Sequence, residues 1–154
     1  MHRPVMLQEV LAWLQPRAGG IYLDGTIGAG GHSLAILKAS GPDGRIVGLD
    51  RDGTAVATAR QALLPYGDRA VIVQAAYNDA PRVVREMTER PLDGALLDLG
   101  VSSLQLGTPA RGFSFLADGP LDMRMDARDP VTAADLVNRL PEKELVRILE
   151  EHGE

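Results

Sequence analysis

The residues best placed to do chemistry are one cluster of glycines and three aspartates. Leu23-Asp24-Gly25-Thr26-Ile27-Gly28-Ala29-Gly30-Gly31-His32 reads as a loop between a short apolar strand and a helix. Adjacent glycines let a backbone approach a ligand closely and turn its N–H groups outward. Asp50 follows Gly30 by 20 residues, at the end of the next apolar run. A carboxylate there can accept hydrogen bonds from both hydroxyls of a ribose. Together these features predict a nucleoside site at the carboxyl edge of a sheet.

The loop also narrows the choice of nucleoside. A dinucleotide fingerprint needs G-x-G-x-x-G, and counted from Gly28 its last position is Ser33. No G-x-x-x-x-G-K-[ST] occurs, so a P-loop is excluded. Asp24 before the loop would repel a pyrophosphate. It suits S-adenosylmethionine, which carries a sulfonium and an ammonium group and no phosphate. Asp24 can equally serve as a turn or helix-cap residue. His32, at the helix entrance, can donate to a ligand carboxylate or make a structural hydrogen bond.

Leu96-Leu97-Asp98-Leu99-Gly100 brings a third aspartate to the end of a strand, facing the same edge as Asp50. There Asp98 could meet a base or an amine; the alternative is a turn-forming Asp before Gly. Val101-Ser102-Ser103 lacks the G-x-S-x-G of a hydrolase elbow, and the other histidines, His2 and His152, are remote in sequence. Asp118, Asp122, Asp126 and Asp129 do not match a calcium loop and are read as solvated turn residues, so no metal is expected. Arg124 beside them can pair with a phosphate or, as the plainer reading, with one of these aspartates. Phe113 and Phe115 are expected to anchor their loop on a core, with stacking on a substrate base as the alternative.

The elements that must position these groups are legible in the hydrophobic pattern. Met6, Val10 and Leu14 recur at helical spacing after Pro4. Ile21–Leu23, Ile46–Leu49, Val71–Val73 and Ala95–Leu97 read as short buried strands. Helices are predicted over 33–39, 54–64 and 79–89, the second stopped by Pro65 and Gly67. Apolar strands alternating with helices imply a parallel sheet covered on both faces, an open doubly wound α/β fold. After Asp98 the rhythm breaks, and residues 100–131 show no clean period. Thr132-Ala-Ala-Asp135 looks like a helix cap, and Pro141 opens another helix carrying Leu145, Ile148 and Leu149.

Composition limits the function classes. The chain has 154 residues, 45% hydrophobic and 24% charged, which fits one globular domain. No apolar run of 18 residues is present, so no membrane span is expected, and the start of the chain lacks a signal-peptide stretch. The absence of cysteine excludes disulfides, thiolate metal sites and a cysteine nucleophile; a cytoplasmic protein fits. A net charge of −5 and 4% aromatics argue against a nucleic-acid platform in these residues.

Four stretches resemble one family. Pro4-Val-Met-Leu-Gln-Glu9-Val, Asp24 to Ser33, Leu97-Asp-Leu-Gly-Val-Ser-Ser-Leu-Gln-Leu106 and Arg111-Gly-Phe-Ser-Phe-Leu-Ala-Asp-Gly-Pro-Leu-Asp-Met-Arg-Met125 look like the MraW/RsmH family of small-subunit ribosomal RNA cytosine methyltransferases. The likeness covers nearly the whole chain. It implies a Rossmann-like class I methyltransferase fold and transfer of a methyl group from S-adenosylmethionine to the exocyclic N4 amine of a cytosine in the decoding region. By position it implies that Gly30, Gly31 and His32 contact the methionine part of the cofactor, that Asp50 holds the ribose, that Tyr77 lies near the adenine, and that Asp98 and Gln105 complete the site. The family usually has Phe in place of Tyr77, and Pro where this chain has Gly53, which implies a looser helix start.

Cytosine methylation at carbon 5 generally needs a cysteine nucleophile, and this chain has none. Methylation of an amine can be a direct displacement, in which the enzyme aligns nitrogen, methyl and sulfur. Asp98 is a candidate to orient the amine. The Asn/Asp/Ser-Pro-Pro-aromatic motif of many amine methyltransferases is missing after the fourth strand, so the catalytic residue stays unassigned.

Family members run to about twice this length. The expected division is an incomplete cofactor domain over 1–103, lacking the later strands, and a substrate loop with the beginning of an inserted helical domain over 104–154. Partners implied are small-subunit rRNA or the 30S subunit, with a dimer allowed. A piece of this kind is expected to be weak or inactive alone and to expose apolar sheet edge. Two other readings stay open, a non-catalytic cofactor- or RNA-binding fragment and a nicotinamide-dependent oxidoreductase.

Overall fold

A computed structural model describes residues 4–153. The chain forms two compact units, adjoining in sequence at Leu99 and Gly100.

The first unit alternates helix and strand: α1 (Leu7–Leu14), β1 (Ile21–Asp24), α2 (Gly31–Ala39), β2 (Arg45–Asp50), α3 (Gly53–Leu63), β3 (Ala70–Gln74), α4 (Ala80–Met87) and β4 (Gly94–Leu96). The strands form one parallel sheet in the order β3-β2-β1-β4. Side chains alternate across it, as strand geometry requires. Tyr22, Ile46, Ile72 and Leu96 face one side and pack with Leu11 and Leu14 of α1, Ile36 and Leu37 of α2, and Ala59 and Leu63 of α3. Leu23, Val47, Leu49 and Val73 face the other side and pack with Ala80, Val83 and Val84 of α4. Covering both faces gives the doubly wound fold expected from the alternation, with its first four strands.

Local details differ from expectation for identifiable reasons. The turn after α3 does not stop at Pro65: residues Leu64–Arg69 continue as 3-10 helix, broken at Gly67, where φ is 52°. Arg69 steadies this turn by donating to the carbonyls of Gly44 and Leu37 and by lying over the Tyr66 ring. Gly53 does begin α3, but Asp52 caps that helix by accepting from the Thr54 N–H at 2.9 Å. β4 is short, with β1 as its partner in the sheet, and Ala95, Leu97 and Leu99 are exposed.

The second unit holds α5 (Ser103–Leu106), α6 (Ala133–Arg139) and α7 (Glu142–His152). α5 was not foreseen. It is opened by a capping box in which the Ser102 side chain accepts from the Gln105 N–H and Gln105 Oε1 accepts from the Ser102 N–H. Thr132 and Asp135 form the same box at α6, as the sequence suggests. Between them Arg111 donates to the carbonyls of Arg124 and Met125, and Asp122 and Arg124 form a two-pronged ion pair. Arg124 therefore does pair with an aspartate. Asp126 pairs likewise with Arg128. These polar contacts tie the loop together. Phe113 is half-buried near the Arg111 guanidinium, but Phe115 is 99% exposed and anchors nothing, contrary to expectation.

Candidate functional site

The strand order reverses direction at β1. The sequence proceeds outward to β2 and β3, then returns to place β4 on the opposite side of β1. Doubly wound sheets bind ligands beyond the carboxyl ends of their strands at such a point. The loop after β1 and the loop after β4 meet here. The Gly25 N–H donates to the Leu96 carbonyl at 3.0 Å, and the Asp98 N–H donates to Thr26 Oγ1 at 2.7 Å.

Asp50 stands at the end of β2 and is half-buried. Its carboxylate accepts from the Gly28 N–H and the Asp52 N–H, each at 2.9 Å. Each carboxylate oxygen keeps a second lone pair, so two ribose hydroxyls can still be received. Asp50 thus holds the glycine loop in place, a role that spacing alone does not reveal.

The glycine loop differs from the outward-facing cradle expected of it. The N–H groups of Gly25, Thr26, Ile27, Gly28 and Gly30 are all bonded within the protein. The open donors lie one step later. α2 begins at Gly31 with no side-chain cap at Gly30, so its first-turn amides are available at the loop mouth. Gly30 has φ of 85°, in the left-handed region that favours glycine. Gly31 has a different need: a Cβ there would lie 2.5 Å from Pro4 Cγ.

His32 is buried, and its Nε2 lies 2.8 Å from the Val5 carbonyl oxygen. A carbonyl only accepts, so Nε2 carries the proton and donates. The structural bond foreseen as one alternative is therefore made. The backbone N–H of His32, in the first turn of α2, is a further donor that can reach an anionic group.

Asp24 is buried beneath the loop. It accepts from the Ser33 hydroxyl at 2.6 Å and from the Thr26 N–H at 3.3 Å. Burial pushes its carboxyl above the usual carboxylate range, against the opposing pull of these two bonds. Ser33 is thus engaged at the position where a dinucleotide fingerprint needs glycine, and the nicotinamide alternative is not favoured.

Tyr77, in the turn after β3, is half-exposed, and with Leu97 it closes over Gly25: a Cβ on Gly25 would lie 3.2 Å from Tyr77 Cβ and 2.5 Å from Leu97 Cδ2. Asp98 is exposed at the same edge as Asp50. Gly30, Gly31, His32, Asp50, Tyr77 and Asp98 are thus carried by the carboxyl-edge loops of the first unit and by the start of α2. Gln105 belongs to the second unit, where it is buried and serves the α5 cap. Thr26 and Gly25 went unremarked as contributors, because their partners lie 50 or more residues away and leave no local signal.

The MraW methylase family model matches residues 1–154. The chain belongs to this family. The Geobacter sulfurreducens ribosomal RNA small subunit methyltransferase H is 54% identical over 153 residues, covering 99% of this chain and 49% of the relative. Its namesake from Carboxydothermus hydrogenoformans is 52% identical with the same coverage. The chain spans about half the length of the curated relatives it matches. Among solved structures, an rRNA methylase from Streptococcus thermophilus aligns with a TM-score of 0.50 at 17% identity, over 65% of this chain and 57% of that one. At that identity the likeness concerns the fold, which is the class I methyltransferase arrangement. The cofactor of the MraW family is S-adenosylmethionine. The residues present fit it: uncapped amides for a carboxylate, acceptor lone pairs on Asp50 for a ribose, and a half-exposed ring at Tyr77 for a base.

Proposed function

We propose that this chain is the cofactor-binding half of an enzyme that methylates the N4 amine of a cytosine in the decoding region of small-subunit rRNA. The observation that carries this reading is the meeting of Asp50, the start of α2 and the Asp98 loop at the switch point, in a chain of the MraW family. Gly30, Gly31 and His32 would hold the methionine end, largely through backbone N–H groups. Asp50 would bind the ribose, and Tyr77 would lie against the adenine. Asp98 would complete the site within the first unit. Residues 1–103 belong to the cofactor domain in this reading, and 104–154 to a substrate loop and a helical insertion.

When bound, the cofactor supplies a methyl group on a positively charged sulfur. The protein has to hold the target nitrogen in line with that carbon and sulfur and to let the amine shed a proton. Asp98, exposed at the site edge, is the candidate to orient the amine. A cytoplasmic setting goes with such a substrate, and no helix among the described residues is long and apolar enough to cross a membrane. The 30S subunit and a homodimer are the partners to test.

Transfer of a labelled methyl group from S-adenosylmethionine to small-subunit rRNA and to 30S particles tests the reading, using this chain and any longer product of its reading frame. Label on cytosine N4 supports it. Cofactor binding with no transfer by either product would favour a non-catalytic fragment, an alternative kept because the chain spans half of its relatives.

A further inference from the structure

We propose that Thr26 is a positioning residue: its hydroxyl fixes the loop after β4 so that Asp98 meets the bound cofactor in one geometry. This rests on the cofactor reading above. Thr26 is half-buried and joined on two sides. Its N–H donates to buried Asp24, which also receives the Ser33 hydroxyl from the first turn of α2. Its Oγ1 accepts from the Asp98 N–H at 2.7 Å, across 72 residues of sequence. One short chain of bonds therefore runs from the start of α2, through Asp24 and Thr26, to Asp98.

The bond sits where it can set a position while adding little to folding. Leu97, Asp98 and Leu99 are all exposed, so beyond the Leu97 side chain over Gly25 little burial holds this loop down. The sheet register ends at Leu96, and the Asp98 N–H ties the chain back to the glycine loop beyond that point. Losing it frees the Asp98 carboxylate to sample many positions, and a contact made from a mobile group is weaker by the entropy of ordering it.

The test compares Thr26→Val, which keeps shape and removes the acceptor, with Thr26→Ser, which keeps the hydroxyl. Two readouts are the hydrogen-exchange rate of the Asp98 amide and the calorimetric Kd for S-adenosylmethionine. In the unaltered chain the Asp98 amide should be protected from exchange. Thr26→Val should speed its exchange and weaken cofactor binding, each by about three- to tenfold, the range for loss of one hydrogen bond. Thr26→Ser should stay within about twofold on both. In an Asp98→Ala background, Thr26→Val should no longer weaken binding, because the group it positions is gone. An unprotected Asp98 amide in the unaltered chain overturns the inference without any variant. So does an equal loss of affinity from Thr26→Val with and without the Asp98 carboxylate, or no loss at all. Failure of the unaltered chain to bind S-adenosylmethionine overturns the cofactor reading itself, and this inference with it.

Discussion

Replacing Asp50 by alanine should damage stability and cofactor binding by separate, measurable amounts. In the free protein the carboxylate accepts from the Gly28 and Asp52 N–H groups at 2.9 Å each. Hydrogen bonds to a charged acceptor are worth about 1.5–3 kcal/mol. Asp50 is half-buried, so the lower figure applies, and water partly replaces the lost acceptor. The net cost should be about 2 kcal/mol. In a chain of this size that lowers Tm by about 4–8 °C. If ribose hydroxyls also donate to this carboxylate, their loss should cost a further 1.5–3 kcal/mol or so in binding, roughly a 10- to 150-fold rise in Kd. Thermal denaturation without cofactor reads the first quantity, and calorimetry with S-adenosylmethionine reads the second at a temperature where the variant is folded. Asp50→Asn, which keeps one acceptor oxygen, should fall between the two. A Tm within 1 °C or so of the parent would refute the loop-holding role. A Kd within about twofold would refute the ribose role.

Three further outcomes are expected. Burial raises the Asp24 carboxyl, so the folded state favours its protonated form; the stability this contributes is complete below the ordinary carboxylate range and is lost as pH rises through the raised value. Asp24→Asn should therefore gain in Tm relative to the parent as pH increases, and a relative loss over that interval would contradict the burial argument. Gly25→Ala should push on Leu97 and Tyr77 and weaken S-adenosylmethionine binding; unchanged affinity would remove Tyr77 from the site. Arg124, beside Asp122, holds its carboxyl down at about 2. That pair's contribution should be present above about pH 4 and vanish as pH falls towards 2. Asp122→Asn should show a shallower loss of stability over that interval in acid denaturation.

The fold and the edge that bears the site were legible because both rest on local pattern. Short apolar runs at 21, 46, 71 and 95 became the four strands, and the acidic residues after two of them came to one edge because the sheet is parallel. What escaped depends on distant partners. That Asp50 takes the Gly28 N–H, or Thr26 the Asp98 N–H, follows from loops brought together by strand order, which no spacing encodes. The inward turn of the loop amides escaped for the same reason: the Leu49 and Leu96 carbonyls that receive the Ile27 and Gly25 N–H groups belong to other strands. α5 is a different case. Ser102 and Gln105 stand three apart as a capping box requires, a signal present in the sequence and passed over. Phe115 shows the limit of reading aromatics as anchors: arginine bonds to backbone carbonyls close its loop, leaving the ring in solvent.

If the carboxyl edge of this sheet is an S-adenosylmethionine site, the purified chain must bind that cofactor. Calorimetric titration of the purified chain with S-adenosylmethionine and, separately, with NAD tests it most directly. Saturable one-to-one binding of S-adenosylmethionine and no heat from NAD are expected. Binding of NAD with no response to S-adenosylmethionine would contradict that assignment.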